Sequence, residues 1–188
     1  AKTISNVPPP EEGRFALLKS ESEVVFKSNN LVEMMNFIST YDFQSDLRLR
    51  FNTSEMFTLN APLNLNFNTK GHFLTIENKA GEQPGLDGGG ILTSIVNSSM
   101  SNLKLTGLGL FNAKLSDNGA AIIKQTGGSN VVFENLLLKY GNKAVYLSGG
   151  SSNITFKNIR VEEVANGSFK IGNLSAAQPF DAYAITLQ

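Results

Sequence analysis

Three stretches of this chain align without a gap over nine residues: Asn102 to Leu110, Asn130 to Leu138 and Asn153 to Val161. With the Asn as position zero, offset one holds Leu103, Val131 and Ile154, and offset three holds Leu105, Phe133 and Phe156. Offset six holds Leu108, Leu136 and Ile159, and offset eight holds Leu110, Leu138 and Val161. Every one of these side chains is large and apolar. Offsets one and three share a face of an extended strand, as do six and eight. The step from three to six breaks the two-residue period, so a bend must lie between them. Offset five carries Gly107, Asn135 and Asn158, residue types that tolerate left-handed backbone. Each unit therefore reads as bend, strand, bend, strand.

A second turn and strand follow each unit. Asn118-Gly119 precedes Ala121 to Ile123, Gly141-Asn142 precedes Ala144 to Leu147, and Asn166-Gly167 precedes Phe169 to Ile171. The units start 28 and then 23 residues apart. That spacing suits one coil of a parallel β-helix with a loop of variable length. A single coil has no partner for its backbone groups, whereas stacked coils pair them and bury a continuous apolar column. An antiparallel sandwich would share the alternation but not the same residue type at the same offset three times. Stacking also places Asn135 beside Asn158 in an amide ladder. The fold expected is all-β: a right-handed parallel β-helix, or solenoid, with one short N-terminal capping α-helix.

Upstream, Leu47 to Phe51 alternates cleanly, and Met56 to Asn60 with Leu63 to Phe67 reads as a coil. Gly71 to Glu77 with Leu86-Asp-Gly-Gly-Gly90 reads as another with a weaker fit. The helix is expected near 31–40: Asn30 suits an N-cap, Glu33 follows three residues on, and Leu31, Met34, Met35 and Ile38 form an apolar stripe. It would close the N-terminal end of the column and protect the strand edge there. Residues 1–22 are expected to form an extended arm and first strand, 23–46 a cap containing the helix, and 47–188 the coils. Pro8-Pro9-Pro10 marks the arm, and Tyr183 to Leu187 reads as a last strand with no helix after it.

The run Asn30 to Ile38, then Leu49-Arg-Phe51, Thr58 to Leu63, Leu74-Thr-Ile76 and Leu86 to Gly90 resembles the N-terminal part of bacterial surface β-helix proteins, including adhesins. There a short helix caps the column before a coil bearing Leu-Asp-Gly-Gly. The later coils resemble those of the pectin-lyase-like superfamily. The likeness spans about residues 23–175 and implies a fold. It does not imply one activity, because that superfamily includes lyases, glycosidases, epimerases, adhesins and phage tailspikes, so activity must be read from a site.

Composition narrows the chemistry. The chain has no Cys, which excludes disulfides, thiolate catalysis and Cys-based zinc sites. Lys plus Arg and Asp plus Glu are both 16, so nothing suggests a nucleic-acid binder. No apolar run reaches the length of a membrane span. The single His, His72, excludes a multi-histidine metal centre, and no Gly-x-Ser-x-Gly elbow is present. Gly88-Gly-Gly90 lacks the Lys of a phosphate loop, and Gly107-Leu-Gly109 lacks the third Gly of a dinucleotide fingerprint. Glycoside hydrolysis needs two facing carboxylates, yet Asp87 and Asp117 are isolated and Glu162-Glu163 diverge on a strand. Lyase chemistry would need calcium and a basic residue. Its weak catalytic candidates are Lys157, Arg160 and Lys143, and its weak calcium ligands are Asp117 and Glu134. The plainer reading makes these outward charges, with Glu134 and Lys157 as a cross-coil ion pair. Tyr41, Tyr140, Tyr146 and Tyr183 are available as sugar-stacking platforms or as packing residues.

The function expected is that of a secreted, cell-surface structural or adhesive protein. It would self-associate end to end, in fibres, through its N-terminal arm and an open C-terminal coil. The absence of an initiator Met fits a processed chain and equally a trimmed one. The alternatives are a polysaccharide lyase, with calcium as cofactor, and a non-catalytic module that binds a polysaccharide or cell-surface glycan. Otherwise no cofactor is expected.

Overall fold

The computed structural model describes residues 8–167, 169–171 and 185–187. An antiparallel hairpin of β1 (Phe15–Ser20) and β2 (Glu23–Ser28) leads into α1 (Leu31–Thr40). Coils follow. The first holds β3 (Leu47–Phe51), β4 (Met56–Thr58) and β5 (Leu63–Leu65). The second holds β6 (Leu74–Asn78), β7 (Gly85–Asp87) and β8 (Val96–Ser98). The third holds β9 (Leu103–Thr106), β10 (Gly109–Phe111) and β11 (Ile123–Gln125). In the next two coils the first two strands run on as one, giving β12 (Ser129–Gly141) with β13 (Val145–Leu147) and β14 (Ser152–Val164) with β15 (Phe169–Ile171). Finally, β16 (Ile185–Leu187) pairs with β14. Parallel pairing in register makes this a β-solenoid of about four turns.

Each coil contributes one segment to each of three faces. On the first face Leu47, Leu74, Leu103, Val131 and Ile154 stack in register, and so do Leu49, Ile76, Leu105, Phe133 and Phe156. All ten are buried. Phe133 and Phe156 stack with ring centroids 5.1 Å apart. On the second face Leu86, Leu110 and Leu138 stack, and on the third Leu63, Val96, Ile123 and Val145 do. Full burial of such side chains stabilises by about 1.5–3 kcal/mol each. The third face also takes two polar side chains inward: Ser98 and Gln125 occupy the column between Leu65 and Leu147. Gln125 Nε2 donates to the carbonyls of Met100 and Gly127 at 3.2 and 2.6 Å.

The bends are left-handed corners stacked above one another. Asn102, Asn130 and Asn153 have φ of 57°, 56° and 52°. Gly107, Asn135 and Asn158 have φ of 76°, 52° and 53°. The expected amide ladder is present: Asn158 Nδ2 donates to Asn135 Oδ1 at 3.0 Å. A second ladder runs up the offset-zero corner, from Asn130 Nδ2 to Asn102 Oδ1 at 3.4 Å and from Asn153 Nδ2 to Asn130 Oδ1. A third corner sits at offset ten, where Asn112, Tyr140 and Glu163 have φ of 61°, 61° and 51°. Of the three only Asn112 announces it, since Tyr and Glu adopt this backbone only under constraint.

The helix spans the residues expected for it, 31–40, and its cap adds a detail. Asn30 Oδ1 accepts from the Glu33 N–H at 3.1 Å, while the Glu33 carboxylate accepts from Ser28 Oγ at 3.0 Å and the Asn30 N–H donates to that same oxygen at 3.0 Å. Ser28 thus stands between the two halves of the capping box. Met34 and Ile38 are buried in the same core as Phe15 and Leu17. The edge of β3 is paired by β1, antiparallel, so the hairpin protects the backbone edge and the helix covers apolar surface. Of the expected extended arm, Pro10 to Gly13 closes a turn, with the Gly13 N–H donating to the Pro10 carbonyl at 2.9 Å, and Glu12 pairs with Lys79. Residues 1–7 lie outside the described residues.

Gly107 is needed for its backbone and for space. A Cβ there would fall 1.8 Å from Asn78 Oδ1. Gly107→Ala should destabilise by about 2 kcal/mol or more, lowering the melting midpoint by roughly 4–8 °C. Glu163→Asn, which puts a residue tolerant of left-handed backbone at an exposed corner, should raise stability by about 0.5–1 kcal/mol. Chemical denaturation checks both, and a stabilised Gly107→Ala would contradict the corner geometry.

Candidate functional site

Outward side chains of the second face form two columns. One runs Met56, Gly85, Gly109, Leu137 and Arg160, and the other Thr58, Asp87, Phe111, Lys139 and Glu162. The two glycines open a cleft of about 340 Å³ between Met56 and Leu137. A volume of this order lies at the small end of ligand pockets. The Phe111 ring lies back across the glycines, so a Cβ on Gly109 would sit 2.4 Å from it. Pro84 adds to the apolar wall, and Asn78, Gln83 and Asn135 bring amides to the rim. Among the described residues Glu82 is the one ionisable residue lining the cleft. One of its carboxylate oxygens, Oε2, accepts from Ser54 Oγ, and its main-chain carbonyl accepts from Asn78 Nδ2 at 2.7 Å.

The candidates for lyase chemistry lie at three places. Lys157 is on the first face, where its ammonium pairs with Glu134 at 3.6 Å, as the plainer reading expected. Glu134 also takes Lys104 at 2.9 Å, and that contact first, then Lys157, holds its carboxyl below the usual range. Arg160 lies past the Asn158 corner on the second face and pairs with Glu162. Lys143 is in neither place. It is buried in the turn after β12, donating to the Asn118 carbonyl and to Asn142 Oδ1, each at 2.7 Å. There it clamps the loop of the third coil, the insertion that makes that repeat longer. Asp117 belongs to the same loop, its Oδ1 accepting from the Gly119 N–H at 2.8 Å. Asp117 and Glu134 therefore share no site, and among the described residues no group of three potential ligands gathers for a metal.

The tyrosines fare differently from Phe111. Tyr41 packs against Phe37 and Phe43, Tyr146 is nearly buried, and Tyr140 lies under the Lys139 ammonium at 4.8 Å. Tyr183 lies outside the described residues. Phe111 is not among the aromatic residues that the sequence offers as platforms. Its signal was Gly109 two residues earlier in a strand, which leaves the outward face bare beneath an outward aromatic ring. Many of the other charges are paired across coils. Glu21 is held at a pKa of about 2 by Arg50 and then Arg48, and Lys139 lowers that of Glu162.

Comparison of the chain with protein-family models, with curated proteins and with solved structures gives no match in any of the three.

The depressed carboxylates set the acid behaviour. Glu21, Glu134 and Glu162 are more acidic folded than unfolded. Their contribution is complete above the unfolded value of about 4.3 and is lost as pH falls through the folded values. Unfolding free energy should thus be flat from pH 7 to 5 and fall between about pH 4.5 and 2, for Glu21 ending near its folded value of about 2. Denaturant titrations over this range check it, and stability that rises on acidification would contradict it.

Proposed function

We propose that this chain is a secreted, cell-surface β-helix of the pectin-lyase-like kind, structural or adhesive in role, with a glycan as the ligand of the second-face cleft. The observation that carries the reading is an aromatic ring laid over a bare glycine floor, with amides along its rim. A pyranose offers a C–H face to such a ring and hydroxyls to the amides, the mix of apolar floor and few polar groups expected of a small-ligand site. A right-handed coil follows from the handedness rule for parallel crossovers. End-to-end self-association belongs to the same proposal. Among the described residues no strand pairs with the outer edge of β15, and an unpaired parallel edge accepts a further strand.

Binding rather than catalysis is supported by the charges. Hydrolysis needs two carboxylates across the scissile bond, and among the described residues the cleft is lined by one, Glu82. Lyase chemistry needs an unoccupied base beside a bound cation, whereas Lys157, Arg160 and Lys143 each have a partner and stand apart. Among the described residues no helix is long and apolar enough to cross a membrane.

The test is calorimetric titration with a panel of tetrasaccharides, on the native protein and Phe111→Ala. Loss of the stacked ring should weaken binding about tenfold, or about 1.4 kcal/mol, with the β-sheet circular dichroism unchanged. Equal affinity of the two proteins would remove the cleft from the account. Release of unsaturated products from a uronate polymer would replace binding by lyase activity.

A further inference from the structure

The ligand class can be narrowed, on the footing of the glycan-binding reading above. We infer that the second-face cleft selects a glycan bearing a free amine, with Glu82 receiving the ammonium group.

Three observations lead there. First, among the described residues Glu82 is the one ionisable side chain lining the cleft, and it is part-exposed. Second, no cation pairs with it among the described residues, although many other carboxylates are paired: Glu21 with Arg48 and Arg50, Glu55 with Arg14, Glu134 with Lys104, and Glu162 with Lys139; Asp87, the other carboxylate of this face without a cation, accepts instead from the Gly89 N–H and from Asn112 Nδ2. Ser54 Oγ engages Oε2, which orients the carboxylate and leaves Oε1 to accept from a ligand. Third, the nearest basic groups of this face are already neutralised. Arg160 follows Leu137 in the column and is paired with Glu162, and Lys139 follows Phe111 and is paired with Glu162 at 3.3 Å and Glu163 at 3.5 Å.

The electrostatics then discriminate among sugars. A uronate would bring its carboxylate into a cleft whose own charge is negative, with no unpaired cation lining it. A neutral sugar could use the amides and the ring but would leave the carboxylate with only water and Ser54. An ammonium group completes it with a charge-assisted hydrogen bond. The ring stack on Phe111 and the amides of Asn78, Gln83 and Asn135 suit a sugar better than the lysine of a peptide, whose methylene stem offers nothing to three amides.

Four probes of equal length separate the cases: a tetramer of β-1,4-glucosamine, its fully N-acetylated form, cellotetraose and tetragalacturonate. Each is titrated at pH 6 into the native protein and into Glu82→Gln, with a tetralysine peptide as a fifth ligand. The amine form should bind about tenfold tighter than the N-acetylated and neutral forms, and tetragalacturonate weakest of all. Glu82→Gln should remove the advantage of the amine over cellotetraose. Equal binding of cellotetraose and the amine, or an amine preference that survives Glu82→Gln, overturns the inference while the glycan reading stands. Tighter binding of tetralysine than of any sugar overturns the inference in favour of a peptide. Failure of all five to bind overturns both.

Discussion

Left-handed corners hold this structure together. A parallel solenoid closes on itself only if each coil turns at the same places as the coil below it, because one displaced corner would shift every inward side chain beyond it. Left-handed backbone is unfavourable for most residues and least so for Gly and Asn. Asn adds a second benefit, since its amide can donate upward and accept from below in an in-register stack. The Asn102, Asn130, Asn153 ladder and the Asn135 to Asn158 step show this arrangement at two corners. Between corners the strands are short, three to five residues in the first three coils, so no strand alone supplies register. Corners and apolar columns set it together.

The same geometry creates the cleft. A solenoid presents its outward residues as straight columns, so a small residue repeated in adjacent coils becomes a groove rather than a dent. Gly85 and Gly109 are such a pair, bounded by Met56 below and Leu137 above. On the first face the outward columns carry charge instead, and cross-coil pairs such as Lys104 with Glu134 and Arg50 with Glu77 neutralise it. A face whose charges are already matched along its length has little left to offer an ionic ligand. The bare glycine floor is a place where the exterior offers a ligand something other than matched charge.

Much of the fold was legible because its signal repeats. Twelve apolar positions at four offsets fixed the inward columns, and the Asn and Gly at offset five fixed one bend. The helix was legible from a local rule, the Asn30 cap with Glu33. The third corner was not, because Tyr140 and Glu163 are held left-handed by the coils around them rather than by their own preference. Nor was the polar pair Ser98 and Gln125 in the third-face column, since the strand begins two residues later than the apolar run Ala121 to Ile123 suggests. The site was less legible still. Lys157 and Arg160 look adjacent along the chain, but the Asn158 corner turns them onto different faces. The cleft depends on glycines aligned across coils 24 residues apart, Gly85 and Gly109, which no window along the chain reveals.

The most direct test of the stacked, parallel coil is a set of through-space proton contacts in a nuclear magnetic resonance spectrum of the selectively labelled protein. Leu105, Phe133 and Phe156 should contact one another in that order, and Val132 should contact Lys104 and Thr155 through backbone protons in the parallel pattern. Side-chain amide contacts between Asn135 and Asn158 should accompany them. Strong contacts between opposed α-protons across these segments, the mark of antiparallel strands, would contradict the solenoid and with it the cleft.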